Sequence, residues 1–254
     1  AGLSPVRVSR IFITHLHGDH VLGLPGLLQS MALMGRKKAL EVYGPPGIAE
    51  LVSIYERTSP YRRGYTIIVK EILKGGLVYS GKEYSVTAVP NRHIFEGYAY
   101  VLETPSKPGR INVEKAVKLG LKPGPKYKLL KMGIPVKVGG KVIRPEDVVG
   151  PPIKGVKITY TGDTAPCEDI IEAARGSDIL IHDSTFSSQH KELAREAMHS
   201  TAKEAAEVAL KSGVNLLVLF HISARYRDPA LLYVEASRIF PFTIVAEDLM
   251  LLRI

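Results

Sequence analysis

Tryptophan is missing from these 254 residues, and cysteine occurs once, as Cys167. One thiol can form no internal disulfide, which suits a reducing, cytoplasmic setting. It also excludes a thiolate-rich zinc site. Long apolar runs are lacking as well. Stretches such as Leu216–Phe220 fall far short of the roughly 20 residues that cross a bilayer, so no membrane partner is expected. No secretory signal is visible, and the sequence opens on Ala1 rather than on methionine.

What is present is a globular mix, 45% hydrophobic and 23% charged, in a length able to bury one sizeable core. A single domain over 1–254 is expected. Lys and Arg number 34 against 25 Asp and Glu, a net +9. Such an excess fits either a Lys-rich solvated surface or a polyanionic partner. Its placement favours the partner. Segment 103–150 holds 11 Lys or Arg and four Asp or Glu, seven of the nine net charges. That segment is rich in Pro and Gly, with one short helical pattern at 113–119, and reads as an excursion with little structure of its own.

Elsewhere, apolar β-branched runs alternate with helical patterns. Strands are expected at 8–14, 40–43, 66–73, 84–89, 98–103, 156–161, 178–182, 216–220, 243–246 and 250–253. Helices are expected at 26–34, 48–57, 168–175, 201–211 and 230–239. The fourth carries a Thr201…Glu204 capping box and Gly213 just past its end. Its apolar positions Ala202, Ala205, Ala206, Ala209 and Leu210 are read as core. Such alternation argues for an α/β layered domain.

The chemistry concentrates in His15-Leu16-His17-Gly18-Asp19-His20, directly after an apolar strand. In extended chain, residues i and i+2 point the same way, so His15 and His17 can grip one metal ion from a strand end. Gly18 permits a sharp turn that leaves Asp19 and His20 beside a second position. Imidazole and carboxylate suit zinc, with manganese or iron as alternatives.

This motif is the signature of the metallo-β-lactamase superfamily, which the chain resembles over nearly its whole length. The fold implied is an αββα sandwich. The superfamily pattern implies three further ligands, each after a strand: His93, Asp163 in Thr161-Gly162-Asp163-Thr164, and His221. Finer features resemble the ribonuclease Z family. They are Gly23-Leu24-Pro25-Gly26-Leu27-Leu28, the run Gly124-Pro125-Lys126-Tyr127-Lys128-Leu129-Leu130-Lys131, His182-Asp183-Ser184-Thr185, His199-Ser200-Thr201, His221-Ile222-Ser223-Ala224-Arg225-Tyr226 and Ala246-Glu247-Asp248-Leu249. Asp183 replaces the family's Glu, and Lys128 replaces a Gly of its arm motif. The family's opening strands and a Gly-rich segment have no counterpart, so a fold lacking its N-terminal strands is expected.

The resemblance implies two zinc ions per subunit: one on His15, His17 and His93, the other on Asp19, His20 and His221, with Asp163 bridging. It implies a second role for Asp19, as the general base that orients the attacking water. His199, just before the capped helix, is the candidate donor of a proton to the leaving ribose oxygen, and Asp183 could orient it. His182 is read as a hydrogen-bonded core residue and His190 as a solvated loop residue. The basic arm, with Lys107, Arg110, Lys115, Lys118, Lys122, Gly124, Pro125, Lys126, Lys128 and Lys131, resembles the arm by which the family holds tRNA, which in turn implies a homodimer. The implied activity is endonucleolytic removal of the 3′ trailer from precursor tRNA, leaving a 3′-hydroxyl. Two alternatives are a small-molecule phosphodiesterase of the same fold and a non-catalytic RNA-binding subunit. The basic insertion speaks against the first, because small esters need no distant polyanion grip. The full ligand set speaks against the second.

Overall fold

Side chains that alternate along single strands place the layers. The computed structural model describes residues 2–59 and 64–254, and there Val42 packs with two helices while its neighbour Tyr43 packs with a second sheet. The first sheet is parallel, in the order β1 (Arg10–Phe12), β2 (Leu40–Gly44), β3 (Ile67–Glu71). Parallel neighbours need crossover connections, here α1 (Gly18–Val21) with α2 (Gly23–Leu33), and then α3 (Ile48–Thr58). Leu24, Leu28 and Met31 of α2 and Ile48 and Val52 of α3 bury against Leu40 and Val42.

The second sheet has seven strands. In chain order they are β4 (Gly76–Ser80), β5 (Ser85–Pro90), β6 (Tyr98–Glu103), β9 (Lys157–Tyr160), β10 (Ile179–Asp183), β11 (Leu216–Phe220) and β12 (Thr243–Val245). The spatial order is β12-β11-β10-β9-β6-β5-β4. The strands β9 to β12 are mutually parallel, and β6 runs antiparallel to both β9 and β5. So β5, β9, β10 and β11 all point the same way, and their C-terminal ends share one edge. Along β6, Tyr98 and Tyr100 face the first sheet and Ala99 faces the outer helices. Those helices are α7 (Glu168–Ala174), α9 (Ala202–Ser212) and α10 (Ala230–Ser237), with α8 (Lys191–Glu196) before α9. Tyr100 donates to the carbonyl of Ile13 at 2.7 Å, tying the two sheets together across the core. The result is the αββα sandwich of the metallo-β-lactamase fold.

Thr104–Val156 forms a second compact unit. It contains α4 (Val113–Lys118), α5 (Pro125–Lys131), the hairpin β7 (Val136–Val138) and β8 (Lys141–Ile143), and α6 (Pro145–Val148). Ala116, Leu121, Leu130, Val136, Ile143 and Val148 bury together as its own core. The expectation of an excursion with little structure is thus corrected. Its elements run three to seven residues, too short for a period to show.

Smaller corrections follow the same logic. Strand β4 was not expected, because Gly76 and the exposed Leu77 weaken its pattern. No strand forms at 250–253, where the apolar residues stay exposed. Leu210 is 59% exposed, so it is not core; Val208 is buried in its place. His190 is half-buried and bonded to the Tyr226 hydroxyl at 2.7 Å rather than solvated. Nor did the sequence single out Arg36. Its buried guanidinium donates to the carbonyls of Val6, Val8, Lys38 and Ala39, so a charge is held by four carbonyl dipoles.

Candidate metal centre

The shared edge of strand ends is where the singled-out residues meet. His15 lies beyond β1, His93 beyond β5, Asp163 beyond β9 and His221 beyond β11. A cluster of ligand atoms from His15, His17, His93 and Asp163 lies within 4.8 Å of one another, and so do the sets Asp19, His20, His221 and Asp163, His199, His221. His17 Nδ1 sits 3.0 Å from His15 Nε2 and 3.2 Å from His93 Nε2. Asp163 Oδ2 sits 3.7 Å from His15 Nε2, 3.3 Å from His20 Nε2 and 3.4 Å from His221 Nε2. One carboxylate therefore lies between the two imidazole groups. Asp19 Oδ2 is 3.4 Å from His20 Nε2 and 3.7 Å from His221 Nε2. All seven expected ligands and His199 are brought together.

Partners behind the rings decide which nitrogen faces inward. Met198 O can only accept, so His93 Nδ1 donates to it at 3.0 Å and Nε2 keeps its lone pair. Thr14 Oγ1 lies 3.0 Å from His15 Nδ1. The Thr185 hydroxyl donates to Asp183 Oδ1 at 2.7 Å, which leaves its oxygen to accept from His221 Nδ1 at 2.8 Å. The His93 and His221 rings thus turn an unprotonated Nε2 inward, as imidazoles that bind a metal do. Thr14, Thr185 and the Met198 carbonyl were missed from the sequence. Of these only Thr185, inside the His182-Asp183-Ser184-Thr185 match, carried a signal.

Backbone strain is concentrated here too. His221 and Met198 hold φ of 59° and 53°, in the left-handed region that non-glycine residues rarely enter. Gly162, at φ 60°, has no such penalty, and a side chain there would meet Thr14 at 2.8 Å. The loop that delivers Asp163 therefore needs glycine.

The donor set fits a divalent ion. Asp163 is 2% exposed, and its Oδ1 is buried with no hydrogen-bond partner among the described residues, a costly arrangement unless a cation takes it. Burial opposes its ionisation, but the hydrogen bond from His20 and the neighbouring His221, His20 and His15 outweigh that and bring its pKa down to about 2. Burial and the adjacent His20 push His15 down to about 4, so it stays neutral and free to ligate. Burial likewise lowers His93. His20 is raised, chiefly by its hydrogen bond to Asp163. Asp19 is lowered, because His20, its own backbone N–H and His221 outweigh its desolvation.

Beside this cluster, His199 Nδ1 lies 2.7 Å from Asp183 Oδ2. Burial opposes its protonation, but Asp183 more than offsets that and its pKa is raised. Asp183 is fully buried and also accepts from the backbone N–H groups of Thr164 and Thr185, so its position is fixed. His182 is fully buried, with Nδ1 2.7 Å from the carbonyl of Asp183. The ten arm residues singled out from the sequence lie in the separate unit. Its Lys107, Arg110, Lys115, Lys118, Lys122, Lys126, Lys128 and Lys131 are all exposed, and Gly124 and Pro125 open α5.

Known proteins resemble this chain over nearly its whole length. The family model described as the metallo-beta-lactamase superfamily matches residues 1–50, and that described as a beta-lactamase superfamily domain matches residues 132–222. The chain is 48% identical to Ribonuclease Z of Methanothermobacter thermautotrophicus over 98% of this chain and 81% of the relative. It is 39% identical to Ribonuclease Z of Bacillus licheniformis over 97% of this chain and 81% of the relative. The crystal structure of human tRNase Z, short form, superposes with a TM-score of 0.67 at 23% identity, covering 98% of this chain and 80% of that one. Among the described residues no helix is long and apolar enough to cross a membrane.

Proposed function

The chain belongs to the ribonuclease Z family, metal-dependent endoribonucleases of the metallo-β-lactamase fold, and from that premise we propose that it cuts the 3′ trailer from precursor tRNA with two zinc ions per subunit, leaving a 3′-hydroxyl on the tRNA. One observation carries this reading: six histidine and aspartate side chains close around the buried Asp163, whose Oδ1 has no partner among the described residues. His15, His17 and His93 would hold one ion, Asp19, His20 and His221 the other, and Asp163 both. When bound, such ions make a water acidic enough to attack phosphorus near neutral pH and offset charge on the phosphoryl oxygens.

The chain's own residues supply the proton traffic. Asp19 is exposed at its side chain (68%) and held ionised, which suits a base that accepts the proton of the attacking water. His199, kept protonated to higher pH by Asp183, suits donation to the leaving ribose oxygen. The lysines of Thr104–Val156 would grip the tRNA backbone. Their distribution favours tRNA over a small phosphodiester, which would need no such grip. The family resemblance supports a homodimer, and substrate and cysteine usage support a cytoplasmic setting.

The test incubates metal-loaded protein with a 3′-extended precursor tRNA, maps both product ends and measures bound metal by elemental analysis. A tRNA ending in a 3′-hydroxyl and about two zinc ions per chain are expected. A 3′-phosphate end, or hydrolysis of small diesters without cleavage of the precursor, would overturn the reading.

A further inference from the structure

Aromatic side chains in this protein are mostly consumed by packing. Phe186 and Phe240 are buried, and Phe12 and Phe220 are half-buried against Tyr43 and Tyr160. Phe242 is exposed beside Phe240. Phe95 differs from all of these. It is 53% exposed, and its one ring contact among the described residues is with His17, at 4.5 Å between centroids and 73° between planes. His17 is the imidazole whose Nδ1 meets His15 and His93. An uncovered aromatic ring thus stands against a histidine of the metal centre.

The loop carrying it is fixed on both sides. The Asn91 N–H donates to Gly97 O at 3.2 Å, and the Asn91 side chain donates to the Asp163 carbonyl at 2.9 Å. The Arg92 N–H donates to Thr164 Oγ1 at 3.0 Å. Ile94, beside Phe95 in the chain, is 59% exposed. A pinned loop that holds Ile94 and much of Phe95 in water forgoes the free energy that burying this apolar surface would give, unless something covers it during function.

Resting on the proposed ribonuclease activity, we propose that Phe95 is a stacking platform for the nucleobase adjoining the phosphate that is cut. On the proposed mechanism that phosphate sits at the centre to which His17 belongs, and a ring packed on His17 flanks that centre, where the adjoining base would lie. A bare phenyl face has no hydrogen-bonding groups with which to read a base edge. It therefore accepts any base, which suits an enzyme whose precursors differ in sequence at the cut. Phe95 then orients the nucleotide while the arm supplies charge-based grip elsewhere.

The experiment compares wild type with Phe95→Ala, Phe95→Leu and Phe95→Trp on precursor tRNA under single-turnover conditions. The substrates are intact or carry one abasic nucleotide on either side of the cut. Phe95→Ala and Phe95→Leu should lower cleavage roughly 5- to 100-fold, the scale of removing one base–aromatic stack. Phe95→Trp should restore it. The deficit should vanish on one of the two abasic substrates, because there the base is already gone. Bound metal should be equal in all four proteins. In chelator-treated protein, 2-aminopurine at the same nucleotide should be quenched on binding to wild type and not to Phe95→Ala. An equal deficit on intact and both abasic substrates, or metal lost with the ring, would mean that Phe95 only braces His17 and would overturn the inference. Wild-type protein that cuts no precursor at all would instead overturn the function on which it rests.

Discussion

Thr104–Val156 holds 12 Lys or Arg and three Asp or Glu, a net +9, whereas the rest of the chain holds 22 of each and is neutral. The whole charge excess therefore belongs to one unit. In the sandwich, charges are matched against each other: Arg10 and Lys70 both reach Glu41, and Arg175 and Arg195 pair with Glu172 and Glu192. In the insertion, eight of the basic side chains named above stand exposed, and the apolar core is only a small cluster. That contrast is what the proposed function asks for: a catalytic centre needs fixed groups and local charge balance, while the proposed grip on a polyanion needs surplus charge on a scaffold just large enough to present it.

The largest expected effect breaks the sandwich side of that comparison. Asp163→Ala removes the carboxylate lying between both histidine groups. Bound metal should fall from about two ions to less than one per chain. Cleavage should fall by well over the roughly 10–100-fold that removing a partner behind a ligand costs. Two ions retained in this variant, by elemental analysis, would show that Asp163 does not bridge.

Removing the insertion tests the other side of the comparison. Glu103 and Lys157 are paired directly across β6 and β9, so the whole unit sits in what would otherwise be a hairpin turn. Replacing 104–156 with Asn-Gly, a favoured two-residue hairpin loop, should leave metal content and small-diester hydrolysis intact. Affinity for precursor tRNA should collapse. The slope of log affinity against log salt should flatten by about 0.9 for each phosphate that the arm no longer neutralises. Equal losses on both substrates would make the unit a structural part of the sandwich.

Leu130→Ala offers a gentler cut. Leu130 is 1% exposed within the insertion's own core. Its truncation should destabilise that unit by about 2–5 kcal/mol. Hydrogen exchange should rise in 104–156 while the sandwich stays protected. Asp183→Asn acts on the other side. It weakens the acceptor held 2.7 Å from His199 Nδ1, and turnover should fall about 10–100-fold with tRNA affinity unchanged. A loss confined to affinity would remove His199 and Asp183 from the chemistry.

The order in which these features could be read from sequence follows from their physics. The His15-Leu16-His17-Gly18-Asp19-His20 cluster is local, and its geometry follows from a strand end and a turn. Long amphipathic helices such as α9 announce their cap and their core face; only Leu210 misled, because at 3.6 residues per turn it falls outside the face that buries Ala205, Val208 and Ser212. Thr14 and the Met198 carbonyl each meet a histidine ring through one hydrogen bond, the latter 105 residues away from its partner, and Thr185 links two groups, Asp183 and His221. No periodicity or spacing encodes such pairings. The insertion's core was hidden for a different reason: six buried residues scattered over short elements look like the composition of a loop.

The smallest expected effect probes how the sandwich keeps its charges balanced. Glu41 on β2 faces Arg10 on β1 in register, with Arg10 Nε 2.6 Å from Oε2, and receives Lys70 of β3 at 2.7 Å on Oε1. The hydrogen bond from Lys70 leads the causes that hold its carboxyl below the usual value, ahead of its partial desolvation. A carboxyl whose folded pKa is depressed stabilises the fold fully above its unfolded pKa and loses that contribution as pH falls through the folded value. Lys70 is 46% exposed at its side chain, so solvent screens the pair and only about 0.2–1 kcal/mol is expected. Glu41→Gln should therefore lower stability by that amount at pH 7, less at high salt. The difference from wild type should close on acidification below the ordinary glutamate range, where both side chains are neutral. Urea unfolding at pH 7 and at pH 3 measures it. A gap that persisted unchanged at pH 3 would mean that Glu41 contributes through packing, and that charge matching across the three strands is incidental to the sandwich.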